Sequence, residues 1–149
     1  MFMARNTLLG LLTAGCLSLG TPAPAQEAPK KSADIVIHSA KVHTTKKGGD
    51  AWDALGGAPD LMVFIRRTER GGAKHTTKAK KDTFETSFGE RTIRVSVGDE
   101  IEVIVYDEDE KFHDKVGEKT MKITEQMLKK RAAKWEFGRI ISLVLEFEP

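Results

Sequence analysis

Residues 98–118, GDEIEVIVYDEDEKFHDKVGE, constrain the fold more than any other stretch of the chain. Ile101, Val103 and Val105 alternate with Glu102, Ile104 and Tyr106. A period of two in a run this rich in β-branched residues marks a half-buried strand, because successive side chains project to opposite faces. Gly98-Asp99 ahead of it is a hairpin-turn signal, since glycine tolerates the positive φ of such turns. It predicts that residues 92–97, with Ile93, Val95 and Val97 inward, pair with this strand. The alternation then stops in a loop that carries Asp107, Glu108, Asp109, Glu110 and Asp114, and Val116-Gly117 closes the loop into another strand.

So many carboxylates on a short loop repel one another unless a cation neutralises them. An oxygen-rich, sulfur-free cluster suits a hard cation such as Ca²⁺, which takes six to eight oxygens. Asp107 and Asp109, two apart, can aim at one centre, and Asp114 can return on the far side of the loop. A solvated acidic loop is the competing reading, as charge runs are commonly solvated.

The pattern V-Y-D-x-D-x-x-F-x-D-x-V-G-E at residues 105–118 resembles the third calcium-binding loop of C2 domains. That family consists of eight-stranded β-sandwiches that bind Ca²⁺ and often phospholipid. Its first calcium loop carries an Asp, a Gly and a second Asp that starts a strand. Asp53, Gly56-Gly57 and Asp60, followed by Leu61–Arg67, are similar to that arrangement. The resemblance implies Asp53, Asp60, Asp107, Asp109 and Asp114 as Ca²⁺ ligands. It also implies that Trp52 and Leu55 in the first loop and Phe112 in the acidic loop enter a bilayer. For Trp52, packing over the sandwich edge is an equal alternative. The chain departs from the family pattern at Leu61-Met62, where Pro-Tyr is common, and in an acidic loop one residue short before Asp114.

Residues 1–25 read as a secretory signal peptide, with Arg5, an apolar run from Leu8 to Leu19, and Ala23-Pro24-Ala25 as the cleavage site. The apolar run is shorter than the ~20 residues that span a bilayer. Residues 26–32, with Pro29 and Lys30-Lys31, read as a polar linker, and residues 33–149 as the domain. The single cysteine, Cys16, lies inside the leader. Cleavage after Ala25 leaves an exported, periplasmic or secreted chain without a disulfide. Thr13-Ala14-Gly15-Cys16 resembles a lipoprotein box, and processing there instead leaves the chain anchored through Cys16. A formal net charge of +2 favours no particular partner.

Along the domain, strands are expected at 34–42, at 61–67 (apolar on both sides, hence central), at 116–123 and at 139–147. Lys74, Lys78 and Lys80 share parity, so one continuous strand there carries them on a single basic face. Family resemblance links such a face to anionic lipid head groups. An edge strand guarded by lysines is the plain alternative. Phe84 and Phe88 are expected to plug the core. Thr124 caps a helix expected over 125–134, with an acid at its start and bases at its end; Met127, Leu128 and Trp135 face the body.

Short alternating strands with one brief helix predict an all-β fold, which the resemblance makes an eight-stranded antiparallel C2-like β-sandwich with the helix before the last strand. Having the first calcium-type loop after the first strand suggests the circular variant of that topology. The four histidines lack zinc spacing, and no Ser–His–Asp, P-loop or dinucleotide pattern occurs. No catalytic residue is assigned. The expectation is a monomeric binding module that takes Ca²⁺ and docks on an anionic phospholipid surface or an envelope protein, with no nucleic acid. The alternative is a metal-independent structural or protein-interaction β-sandwich of the bacterial envelope.

Overall fold

The computed structural model describes residues 31–52, 57–109 and 113–149. In chain order they form β1 (Ser32–Val42), β2 (Leu61–Arg67), β3 (Lys74–Thr76), β4 (Glu85–Ser96), β5 (Glu100–Asp107), β6 (Asp114–Lys122), α1 (Glu125–Lys130), β7 (Ala132–Phe137) and β8 (Ile140–Glu148). The strands make two antiparallel four-stranded sheets, ordered β4-β1-β8-β7 and β3-β2-β5-β6. This is the eight-stranded sandwich with one short helix that the resemblance implies, except that the helix precedes the last two strands rather than the last one. Residues 1–30, with the expected leader and Cys16, lie outside the described residues. Among the described residues no helix is long and apolar enough to cross a membrane.

The core lies between the sheets. Ile101, Val103 and Val105 of β5 and Val63 and Ile65 of β2 are fully buried. They share one cluster with Ile35, Ile37, Leu143 and Leu145 of the other sheet. Each such side chain contributes about 1.5–3 kcal/mol through the apolar area it removes from water. Phe88 is buried and Phe84 packs against the cluster, as expected. β2 is central, flanked by β3 and β5.

Three further expectations are corrected. First, β4 and β5 do not pair: β4 lies beside β1 and β5 between β2 and β6, in the other sheet. The turn itself is as read, with Gly98 at φ 98°. Asp99 N donates to Ser96 O at 3.1 Å, and the Asp99 carboxylate accepts from Ser96 N at 2.8 Å. The turn is then tied to the end of β6, with Ile123 N donating to Asp99 O at 2.7 Å. Its chemistry reverses the chain while carrying it from one sheet to the other.

Second, the helix ends at Lys130, not Lys134. Arg131 adopts the left-handed conformation, φ 57°, and its amide donates to Met127 O. The next residues are β7, which pairs with β8 and buries Trp135. The helix start is as expected: the Thr124 hydroxyl accepts from Met127 N at 3.2 Å. Thr124→Ala is expected to lower stability by about 1 kcal/mol, measurable as a shift in denaturant midpoint at unchanged slope.

Third, the basic segment is not one strand face. β3 is three residues long and pairs Phe64 with Thr76. Farther on, Leu61 pairs with Lys80, a one-residue slip in register. The cause is Thr77, which is buried and whose hydroxyl accepts from Val63 N at 3.0 Å, in place of a backbone partner. A slip of one residue exchanges the faces of a strand, so Lys74 and Lys80 no longer share one. Lys78 is exposed, and its amide donates to Glu90 of β4.

Candidate functional site

Register places three connections at one end of the sandwich. β1 reaches that end at Val42, and the chain returns at Leu61, which pairs with Asp107 at the end of β5. Leu61 also pairs with Lys80 of the β3–β4 connection, and Asp107 pairs with Asp114 across the acidic loop. The described parts of these connections, 43–52 with 57–60, 77–84, and 108–109 with 113, therefore converge.

Carboxylates tie the three connections together through backbone amides. Asp107 is 1% exposed, and its Oδ1 accepts from Asp60 N at 2.7 Å. Asp60 Oδ1 accepts from Asp82 N at 2.7 Å, and Asp82 Oδ1 accepts from Ala58 N at 2.9 Å. Asp82 has φ 47°, which Asp tolerates better than most residues. Glu108 N donates to Asp60 O at 2.8 Å, closing the relay from the acidic side. Asp82 is a site residue the sequence reading missed. Its only local signal is an acid in the Lys81-Asp82-Thr83 break between two strand-forming segments.

Asp109 and Asp114 are exposed. Asp114 opens β6 and accepts from Lys46 Nζ at 2.5 Å. The Lys46 ammonium is held above its ordinary pKa, first by that bond, which outweighs the opposing effect of burial, and then by the charges of Asp114, Asp107 and Asp109. Its stabilising contribution is therefore complete at neutral pH and fades only as pH rises through that elevated value.

Of the residues expected to touch a membrane, Leu55 and Phe112 lie outside the described residues, as does the ligand Asp53. Trp52 does not form an exposed tip: it is 5% exposed and belongs to the core cluster. Its indole N–H donates to His43 O at 2.8 Å, which seats the ring over the sandwich edge. That bond satisfies the one polar atom of the indole, so the ring can be buried.

Two clefts flank the acidic connections. One, about 350 Å³, is lined by Asp60, Lys81, Glu108, Asp109 and His113. The other, about 610 Å³, lies between Trp52, Lys46, Lys47, Asp114, Lys115 and Arg139. Arg139 of the β7–β8 turn braces the first connection, with Nε donating to Thr45 O at 2.9 Å. All the clustered donors are hard oxygens, which fits Ca²⁺ in kind. Among the described residues, however, no three acid, imidazole or thiol side chains gather closely enough to hold a metal ion. Asp60 and Asp107 face amides, and Asp114 faces an ammonium.

The family model "C2 domain" matches residues 32–136. The chain belongs to the C2 domain family. No curated protein sequence matches it. Among solved structures, a C2 domain of a plant extended synaptotagmin 1 is similar at 19% identity, over 83% of this chain and 98% of that one, with a TM-score of 0.57. The calcium-bound pair of C2 domains of extended synaptotagmin 2 is similar at 20% identity, over 80% of this chain and 46% of that one, TM-score 0.55. Human GIVD cytosolic phospholipase A2 is similar at 22% identity over 83% of this chain, TM-score 0.62, but this C2 domain spans only 17% of the phospholipase. At these identities the likenesses establish the fold. As in the expected variant, the first acidic connection follows β1, and β8 lies beside β1.

Proposed function

We propose that this C2 domain is a Ca²⁺-dependent binding module rather than an enzyme. Ca²⁺ bound by Asp60, Asp107, Asp109 and Asp114, with Asp53 from the first connection and Asp82 beside them, neutralises the rim and lets an anionic phospholipid head group or a protein partner complete the shell. The observation that carries this reading is the convergence of three connections whose acids are linked through the Asp107–Asp60–Asp82 relay. A calcium-bound neighbour of the same fold adds support. The leader at residues 1–25 supports an exported setting, where Ca²⁺ modules bind at about 10⁻⁴ to 10⁻³ M.

A second reading, a metal-independent interaction sandwich, is favoured by one observation: Lys46 already neutralises Asp114. The two separate by melting the protein in chelator and in rising Ca²⁺, with Mg²⁺ as control. The calcium reading expects a stabilisation of about 1–2 kcal/mol at several millimolar Ca²⁺ for that Kd range, and Ca²⁺-dependent co-sedimentation with phosphatidylserine vesicles. An unmoved melting curve at several millimolar Ca²⁺ leaves the interaction reading in its place.

A further inference from the structure

Lys46 sits in the first connection, 68 residues from Asp114, and its ammonium reaches across to Asp114 Oδ2. The pair lies at the surface, with Asp114 51% exposed, but the Lys46 side is held from several directions. The side chain is 31% exposed. It passes over Trp52, with Nζ 5.8 Å from the ring centroid, and Trp52 is itself fixed to His43. The backbone of Lys46 is closed in a tight turn, its amide donating to Asp50 O at 2.7 Å and its carbonyl accepting from Gly49 N at 3.1 Å. Gly48 and Gly49 make that turn at φ 124° and 99°, conformations that favour glycine. Lys115, which lines the same cleft, pairs with Glu118 instead.

We propose that Lys46 is a built-in counter-cation of the acidic connections, a tethered ammonium that Ca²⁺ must displace from Asp114, and that it sets the Ca²⁺ affinity of the domain. This rests on the calcium reading above. With Lys46 Nζ 2.5 Å from Asp114 Oδ2, Ca²⁺ bound to the same oxygen at about 2.3–2.6 Å would stand about 4 Å from the ammonium, where the repulsion between the two cations opposes joint occupancy. The displaced head group has room in the cleft of about 610 Å³ beside Lys47. Competition for Asp114 also accounts for the open donor set: the acid that enters from β6 is held off the others by a residue from the first connection.

The test is calorimetric titration of Ca²⁺ into the wild-type protein, Lys46→Met and Lys46→Arg, each checked for folding by circular dichroism in chelator. Met keeps an unbranched apolar stem over Trp52 and removes the charge. The expected result is Ca²⁺ binding about tenfold tighter in Lys46→Met, and close to wild type in Lys46→Arg. Lys46→Gln, which retains a donor for Asp114, gives the same comparison if Met disturbs the fold. Ca²⁺ binding by wild type that is equal or weaker in the uncharged variants overturns the counter-cation role and leaves the calcium site standing. No Ca²⁺ binding in any variant overturns both.

Discussion

Asp107→Asn should leave the sandwich folded and abolish its response to Ca²⁺, whereas Asp107→Ala should damage the fold itself. Asp107 is buried at the end of β5 and accepts the Asp60 amide from the neighbouring connection. Asn presents a carbonyl oxygen in the same place, so the hydrogen bond survives without the charge. Ala leaves the Asp60 amide without that acceptor, which costs about 1–3 kcal/mol. The measurement is denaturant unfolding of both variants in chelator and in millimolar Ca²⁺. Asp107→Asn should lose the wild-type calcium stabilisation, about 1–2 kcal/mol at several millimolar Ca²⁺ for a Kd of about 10⁻⁴ to 10⁻³ M. A Ca²⁺ shift of wild-type size in Asp107→Asn would remove Asp107 from the ligand set.

The largest effect on stability alone is expected at Leu143→Ala. Leu143 is fully buried on β8, opposite Ala40 of β1 and Trp135 of β7. Deleting its branched end leaves a cavity between rigid sheets, and the loss should be about 2–5 kcal/mol. For a domain of this size that lowers the melting temperature by on the order of 10 °C. Lys134→Ala, exposed on the same sheet, is the control and should move stability by no more than about 0.5 kcal/mol. A loss near that of the control would mean that β8 does not carry the core packing described.

The parts of the fold legible in the sequence are those written in alternation. β2, β5 and β8 read directly, because their apolar residues recur at every second position. β7 does not. The run from Glu125 to Lys134 is composed almost wholly of good helix formers, and nothing local stops the helix. It is stopped by tertiary structure: Phe147 N donates to Arg131 O at 2.9 Å, drawing the chain beside β8. The expected pairing of 92–97 with β5 fails for a related reason, since turn chemistry specifies a reversal but not which sheet the chain reverses into. At the site, the acids of residues 107–114 and Asp60 stand out by spacing. Lys46 and Asp82 do not, because each acquires its role from a residue in another connection. Trp52 is legible as an apolar loop residue, but its burial depends on the carbonyl of His43, nine residues back.

The pairing of Asp34 with Glu148 puts the start of β1 and the end of β8 at the pole opposite the acidic connections. β1 runs from that pole to Val42 over 11 residues, a span of about 35 Å. The described domain is therefore entered and left at one pole, a full sandwich length from the connections that carry the acids.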